Sequence, residues 1–452
     1  MTSPKCPVGL TGSIATEIGV LTGLTTLDLN SNSLTGSIPS EIRYLSNLDS
    51  LDLHSNGLNG TIPLDKVHFT KMAYLDLSSN LLRGPIPTQI RYLTKLGSLD
   101  MHSNYLSGTI PIDVGKLSTL TSLELSSNSL TGAIPVEIGT LTSLTHLGIA
   151  SNFLKGRLPI NVGSLSKLNY LALHNNSLTG FIPTEVGFLE SLEVLNFFDN
   201  ALTGSIPNLI GSLTSLVYLD LSVNHLTGLI PSEIEFLTNL VVLDFNSNPF
   251  HGTIPDQIGL LTSLMYLHLF SAFLTGSIPT VIGSLPKLVD LSLKFNRLNG
   301  TIPIDISSLS GLNFLDLDAN FFTGSIPTEV CNLSSLIELN LSTNALRGTI
   351  PSAIGFLSKL TALDVSSNSL SGRIPTEVGR LQSLQYLNLF NNSLTGSIPT
   401  ELGGLSNLHG IRLDHNDLTG SVEGIFCPNV IGFSILLVDS TTVNCTCCTS
   451  FR

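Results

Sequence analysis

"LTSLELSSNSLTGAIPVEIGTLTS", Leu120 to Ser143, is a 24-residue phrase that the chain repeats with small changes along nearly its whole length. Its anchor, Asn128, recurs at Asn32, Asn56, Asn80, Asn104, Asn152, Asn176, Asn200, Asn224 and Asn248, and again at Asn296, Asn320, Asn344, Asn368, Asn392 and Asn416. The step is 24 throughout, giving seventeen units without an insertion, and only the unit at Ala272 lacks the Asn. The consensus is L-x-x-L-x-L-x-x-N-x-L-T-G-x-I-P-x-E-I-G-x-L-x-x. A fixed period overrides the length prior of about three domains, because each unit can bury its apolar side only against its neighbours.

The positions follow from backbone geometry. In L-x-L the leucines face inward and the residues between them outward, since a strand alternates faces. The Asn comes where the chain turns away and can bond main-chain groups freed by that turn. L-T-G-x-I-P alternates too, with Leu, Gly and Ile inward, and Pro ends the pairing because it has no N–H. Glu-Ile-Gly and the next Leu supply one loose helical turn on the convex side. The expected fold is α/β: a curved, twisted leucine-rich repeat solenoid of seventeen 24-residue units. It would have a parallel concave sheet, short flank strands, and 3-10 or irregular convex turns. Stability then sums over neighbours, and the ends need caps. Without its Asn, the turn at Ala272 is expected to leave main-chain groups short of a partner, at ~1–3 kcal/mol unless water fills in.

The run N-x-L-T-G-x-I-P-x-E-I-G-x-L resembles the plant-type extracellular leucine-rich repeats. It is similar to the ectodomains of plant receptor-like kinases and receptor-like proteins, and to polygalacturonase-inhibiting proteins. The likeness spans residues 10 to 421, and no island interrupts it. The tail FCPNVIGFSILLVDSTTVNCTCCTSFR resembles the cysteine-clustered ends of diatom leucine-rich repeat proteins. The resemblance implies a recognition protein, extracellular or at the cell surface, with a peptide, protein or glycan partner. That family's paired-cysteine opening cap is missing, and MTSPKCPVGLTGSIATEIG lacks the apolar run of a signal peptide. The chain also enters the repeat in mid-unit at Leu10, so we expect it to start inside a longer protein. The expected division is a truncated flank (1–9), the solenoid (10–421) and a cysteine-containing C-terminal cap (422–452).

A net charge of −13 with 20 Lys+Arg offers no footprint for nucleic acid or anionic lipid. No apolar window approaches the ~20 residues of a membrane span. Cys427, Cys445, Cys447 and Cys448 crowd the last turn, where disulfides would seal the open edge in an oxidising compartment. Zinc is the competing reading, but the tail holds no His and lacks the two-residue spacer of common zinc sites. Cys6 has no evident partner, and Cys331 is expected as a buried thiol. Sequons begin at Asn59, Asn175, Asn299, Asn332, Asn340, Asn391 and Asn444, acceptors for glycans if the protein is secreted.

Catalysis needs unlike residues that converge, whereas repeats supply columns of like ones. The outward column Asp28, Asp52, Asp76, Asp100, Glu124, Asp220, Asp244, Asp316 and Asp364 could draw a cation or act in acid–base chemistry. Its plainer reading is solvated carboxylates bonded to neighbouring Ser or Asn. His54 and His102 stand two units apart, too far to share a metal. No enzyme, cofactor or metal is expected. The Thr/Ser pairs of the flank (Thr35/Ser37 through Thr419/Ser421) suggest an alternative, a structural or ice-binding surface. Arg83, Lys155, Arg157, Phe181, Leu229, Arg347 and Arg373 interrupt that array.

Outward aromatics locate the candidate binding face. The units of Asn32 to Asn152 place Phe or Tyr at three of thirty outward positions; those of Asn176 to Asn320 do so at nine of thirty-five. The expected partner surface therefore runs across the strands from about Tyr170 to Phe321. It comprises Tyr170, His174, Phe198, Tyr218, His225, Tyr266, His268, Phe270, Phe273, Lys294, Phe295, Arg297 and Phe314. Exposed aromatics beside ionisable groups are the usual anchors of partners. Oligomeric state is not legible.

Overall fold

The computed structural model describes residues 9–64, 69–426, 435–439 and 443–445. The chain divides into two compact units, Met1–Leu226 and Thr227–Arg452, each a leucine-rich repeat solenoid.

In the first unit the concave sheet runs from Thr26–Asp28 to Tyr218–Asp220, one three-residue strand per repeat. Pairing is parallel and in register with the period: Leu123 faces Leu99 on one side and Leu147 on the other. Ten flank strands, Thr11–Ser13 to His225–Leu226, form a second sheet. Repeats return through 3-10 turns such as Val136–Thr140, entered through Pro135, whose ring presets the backbone angle. Leu123, Leu125, Leu130, Leu141 and Leu144 have no accessible surface, so the L-x-L, L-T-G and G-x-L positions share one dry interior.

The asparagine ladder binds one repeat to the next. Asn104 donates to the carbonyls of Leu77 (2.9 Å), Met101 (3.2 Å) and His102 (3.2 Å), and accepts the Leu82 N–H at 3.0 Å. One side chain thus satisfies donors and acceptors in two successive units, which otherwise would be buried unpaired. The glycine of L-T-G is required: Gly132 has φ +77°, and a Cβ there would meet Thr109 Cγ2 at 2.8 Å.

The second unit repeats the plan, with concave strands from Val242–Asp244 to Ile435–Leu437. Its ladder departs from rule at one place. Among the described residues no flank strand follows Val242–Asp244, because Pro249 lacks the N–H that Arg297, in its own repeat, gives to Leu274 O at 2.8 Å. Phe250 turns fully inside, 5.9 Å from the Phe245 ring, and its N–H returns to Asn248 O at 2.9 Å. In other repeats, as at Leu298 with Asn320, the next repeat's Asn accepts that bond. Asn296 covers the rest of the gap: its Oδ1 accepts the Ala272 N–H (3.1 Å) and its Nδ2 donates to Leu269 O (2.7 Å). The expectation that Ala272 strands main-chain groups is therefore corrected. The neighbours re-pair, and Ala272 is fully buried.

Much of the acidic column bonds to its own strand exit. Asp76 accepts from Ser78 Oγ (2.6 Å), Asp28 from Asn30 (2.7 Å) and Asp364 from Ser366 Oγ (2.6 Å), so these three carboxylates close their own strand exits. No helix among the described residues is long and apolar enough to cross a membrane.

Candidate functional site

The second unit gathers the largest part of the expected surface around Ala272. Tyr266, His268 and Phe270 occupy successive outward positions of one strand and its exit, with ring centroids 6.4 Å apart at each step. His268 lies between two carboxylates, Nδ1 3.2 Å from Asp244 and Nε2 3.4 Å from Asp290. Burial pulls its pKa down, but the two acids outweigh burial and push it up to about 9. On the next repeat Lys294 Nζ sits 5.5 Å from the Phe270 centroid and pairs with Asp316 at 2.9 Å. Arg297 stacks over Phe273 at 5.3 Å and makes no ion pair among the described residues. Phe273, Phe295 and Phe321 are 50%, 56% and 60% exposed, while Phe314 is half-buried.

Phe273 stands out in its backbone. Every repeat holds one left-handed residue just before the Asn position, such as Ser247 (φ +54°) or Ser367 (φ +53°). The Ala272 repeat holds two, Ser271 (φ +52°) and Phe273 (φ +51°). A left-handed Phe costs roughly 1–2 kcal/mol. Such outliers collect where a site needs a side chain aimed in a particular way.

In the first unit Tyr170 stacks on His146, with centroids 4.2 Å apart and planes 5° from parallel. His174 and Phe198 are half-buried, Tyr218 gives its hydroxyl to Asp220 at 3.1 Å, and His225 is exposed on the flank. Here the structure adds what the aromatic count missed. Asp100, His102, Glu124 and His146 join Tyr170 and His174 around an open pit of about 590 Å³. The signal was present in the sequence as small outward residues, Gly148, Ala150 and Ala172, on adjoining repeats.

Asp52, His54 and Asp76 bring three possible metal ligands within 4.8 Å of one another. Their own bonds account for that closeness: His54 Nδ1 meets Asp52 at 2.7 Å, and Asp76 is held by Tyr74 and Ser78. On the flank, Thr131 donates to Gly108 O (3.1 Å) and Thr323 to Gly300 O (3.2 Å), so these hydroxyls close the sheet. Phe181 and Leu229, 61% and 58% exposed, break the flatness an ice-binding array would need.

Cys445 is disulfide-bonded; Cys6, Cys427, Cys447 and Cys448 lie outside the described residues. Cys331 is the expected buried thiol, its pKa pushed up to about 11 by burial and then by Glu329. Of the sequon asparagines, Asn59, Asn175, Asn299, Asn332, Asn391 and Asn444 are exposed. Asn340 is half-buried, its Oδ1 accepting from Ser342 Oγ at 2.6 Å.

Known proteins share this architecture. Residues 299–431 match the family described as Leucine-rich repeat region, and 23–45, 119–141, 167–189, 191–213, 215–237 and 239–261 match Leucine Rich Repeat. The crystal structure of a TDR receptor superposes with TM-score 0.84 at 31% identity, covering 96% of this chain and 83% of that one. The Arabidopsis receptor kinase HAESA LRR ectodomain, in complex with an N-terminal extended IDA peptide hormone ligand, gives 0.77 at 33% identity, covering 91% and 73%. The LRR ectodomain of the plant membrane receptor kinase GASSHO1/SCHENGEN3 from Arabidopsis thaliana, in complex with CASPARIAN STRIP INTEGRITY FACTOR 2, gives 0.74 at 35% identity. That alignment covers 95% of this chain and spans 57% of the longer ectodomain. No curated protein sequence matches the chain.

Proposed function

The chain belongs to the plant-type leucine-rich repeat family, and from that premise we propose that its second unit binds a peptide across the concave strands from Val242–Asp244 to Phe314–Asp316. The observation that carries this reading is the surface around Ala272. Four outward rings and two cations meet there on consecutive strands, and Phe273 is held in a strained backbone with half its surface in water. A left-handed Phe half in water costs a solenoid stability, whereas a bound chain gains a desolvated anchor from it. Apolar side chains of the peptide pack against Phe270, Phe273 and Phe295. A carboxylate meets Arg297, whose guanidinium is backed by a ring and can bond it in a fork.

A similar ectodomain, solved with the IDA peptide hormone, supports a peptide over a glycan. By the same likeness the protein works outside the cell or at its surface, as a recognition module without an enzymatic step. Residues 10–421 then form the recognising solenoid and 422–452 a disulfide-sealed cap, a reading supported by the bonded Cys445. The test is selection of displayed random peptides on the folded protein. Selected peptides should bind a Tyr266→Ser, Phe270→Ser, Lys294→Ser variant at least a hundred-fold more weakly, with its circular dichroism unchanged. Peptides that bind this variant as well as the parent would refute the site.

A further inference from the structure

The pit in the first unit has walls of unusual chemistry. Side chains are nearly absent at its base: Ala150 lines the pit, and Gly148, Ala150 and Ala172 are buried where the adjoining repeats set Glu, Asn, Ser or His. Glu124 folds into the space over Gly148, and any Cβ at 148 would collide with its carboxylate. Glu124 is thus laid flat along the floor by a glycine and held there by His146 and by the main-chain N–H and hydroxyl of Ser126. Its Oε2 meets His146 Nε2 at 2.8 Å, and its Oε1 accepts the Ser126 N–H at 3.0 Å. A carboxylate has about four acceptor positions, so about one remains on Glu124, while both bonds from His102 fall on Oδ1 of Asp100 and leave its Oδ2 to accept.

The other walls also favour acceptors. Asp100 pairs with His102 at 2.7 Å on the opposite side. His174 Nδ1 is buried with no hydrogen-bond partner. Burial lowers the pKa of His174, against the opposing pull of Asp220 and Glu124, so the ring is held toward its neutral form, in which one nitrogen accepts. Among the described residues lining the pit there is no Lys or Arg. Tyr170 spends one ring face on His146, which leaves less open aromatic platform for a sugar.

Two carboxylates, a buried unpaired ring nitrogen and no Lys or Arg favour a ligand rich in donors. We propose that this pit is a recognition site for a guanidinium or ammonium group, the arginine or lysine side chain of a protein or peptide partner. Guanidinium carries five donors and no acceptor, which complements the surplus on these walls. The site stands independently of the aromatic surface in the second unit, and its test needs no knowledge of the partner.

N-acetyl-arginine methylamide titrated into the protein and followed by saturation-transfer NMR supplies the first arm, with the neutral isostere N-acetyl-citrulline methylamide as control. Saturable binding of the arginine compound is expected, with the citrulline compound at least ten-fold weaker. Glu124→Gln, which keeps the side-chain shape, should lose at least ten-fold in affinity at an unchanged melting temperature. If Glu124→Gln fails to fold, the arginine-to-citrulline ratio on the parent protein decides alone. Absence of saturable binding, equal binding of both compounds, or full binding by a folded Glu124→Gln would overturn the proposal.

Discussion

Asn296 Oδ1 accepts the main-chain N–H of Ala272 at 3.1 Å while also accepting that of Leu274 at 3.0 Å. One asparagine thereby serves two rungs of the ladder, and the repeat that lost its own Asn is held by the next one along. This double duty sets the energetics of the candidate site, since Phe270 and Phe273 flank the repaired turn.

Replacing Asn296 with Ala should therefore cost more than the same change elsewhere in the ladder. It would leave two consecutive turns without a side-chain bridge, at about 2–4 kcal/mol, given ~1–3 kcal/mol per unmet buried polar group. Asn320→Ala, with intact neighbours, should cost at least about 1 kcal/mol less. Urea unfolding midpoints of the two variants check this; equal midpoints would contradict the shared rung.

His268 gives a pH signature. Its folded pKa, about 9, lies above the ordinary histidine value of about 6.5. The stabilisation is then fully present below the unfolded value and is lost as pH rises through about 9. His268→Gln should lower stability by about 1 kcal/mol at pH 6, allowing for solvent screening, and by much less at pH 10. Melting temperatures of both proteins across that range provide the check, and a constant difference would count against the double carboxylate clamp.

Phe273 should trade stability for binding. Phe273→Gly releases a left-handed backbone that costs Phe roughly 1–2 kcal/mol, so the variant should melt at the same or a higher temperature. Its affinity for the selected peptides should fall at least ten-fold. A variant that melts lower and binds normally would mean that Phe273 serves packing.

Cys331 should be silent toward thiol reagents. Burial pushes its pKa up to about 11, so the thiolate is scarce at pH 8 and shielded from attack. Iodoacetamide should label it only after denaturation. Labelling of the native protein within minutes would show that this turn opens.

The fold was legible because a 24-residue period leaves one way to bury L-x-L and L-T-G-x-I-P together, and Asn128 and its equivalents sit where the turn needs them. The bland reading of the acidic column was legible as well, since Asp76 with Ser78 and Asp28 with Asn30 recur at fixed spacing. The repair at Ala272 was not. It depends on how Phe250 re-pairs with Asn248 and on how far Asn296 reaches, distances that no pattern of residue types encodes. The pit escaped for a related reason. A count of large residues finds Tyr170 and His174 but passes over Gly148 and Ala150, whose smallness makes room for Glu124.

Hydrogen exchange of the intact chain with and without a selected peptide tests the central claim most directly. The account predicts slowed exchange of main-chain amides in residues 266–273 and 290–297, with the convex turns Asp256–Leu260 and Thr280–Ser284 unchanged. Protection confined to those turns or to the flank strands, with the concave segments exchanging as in the free protein, would contradict it.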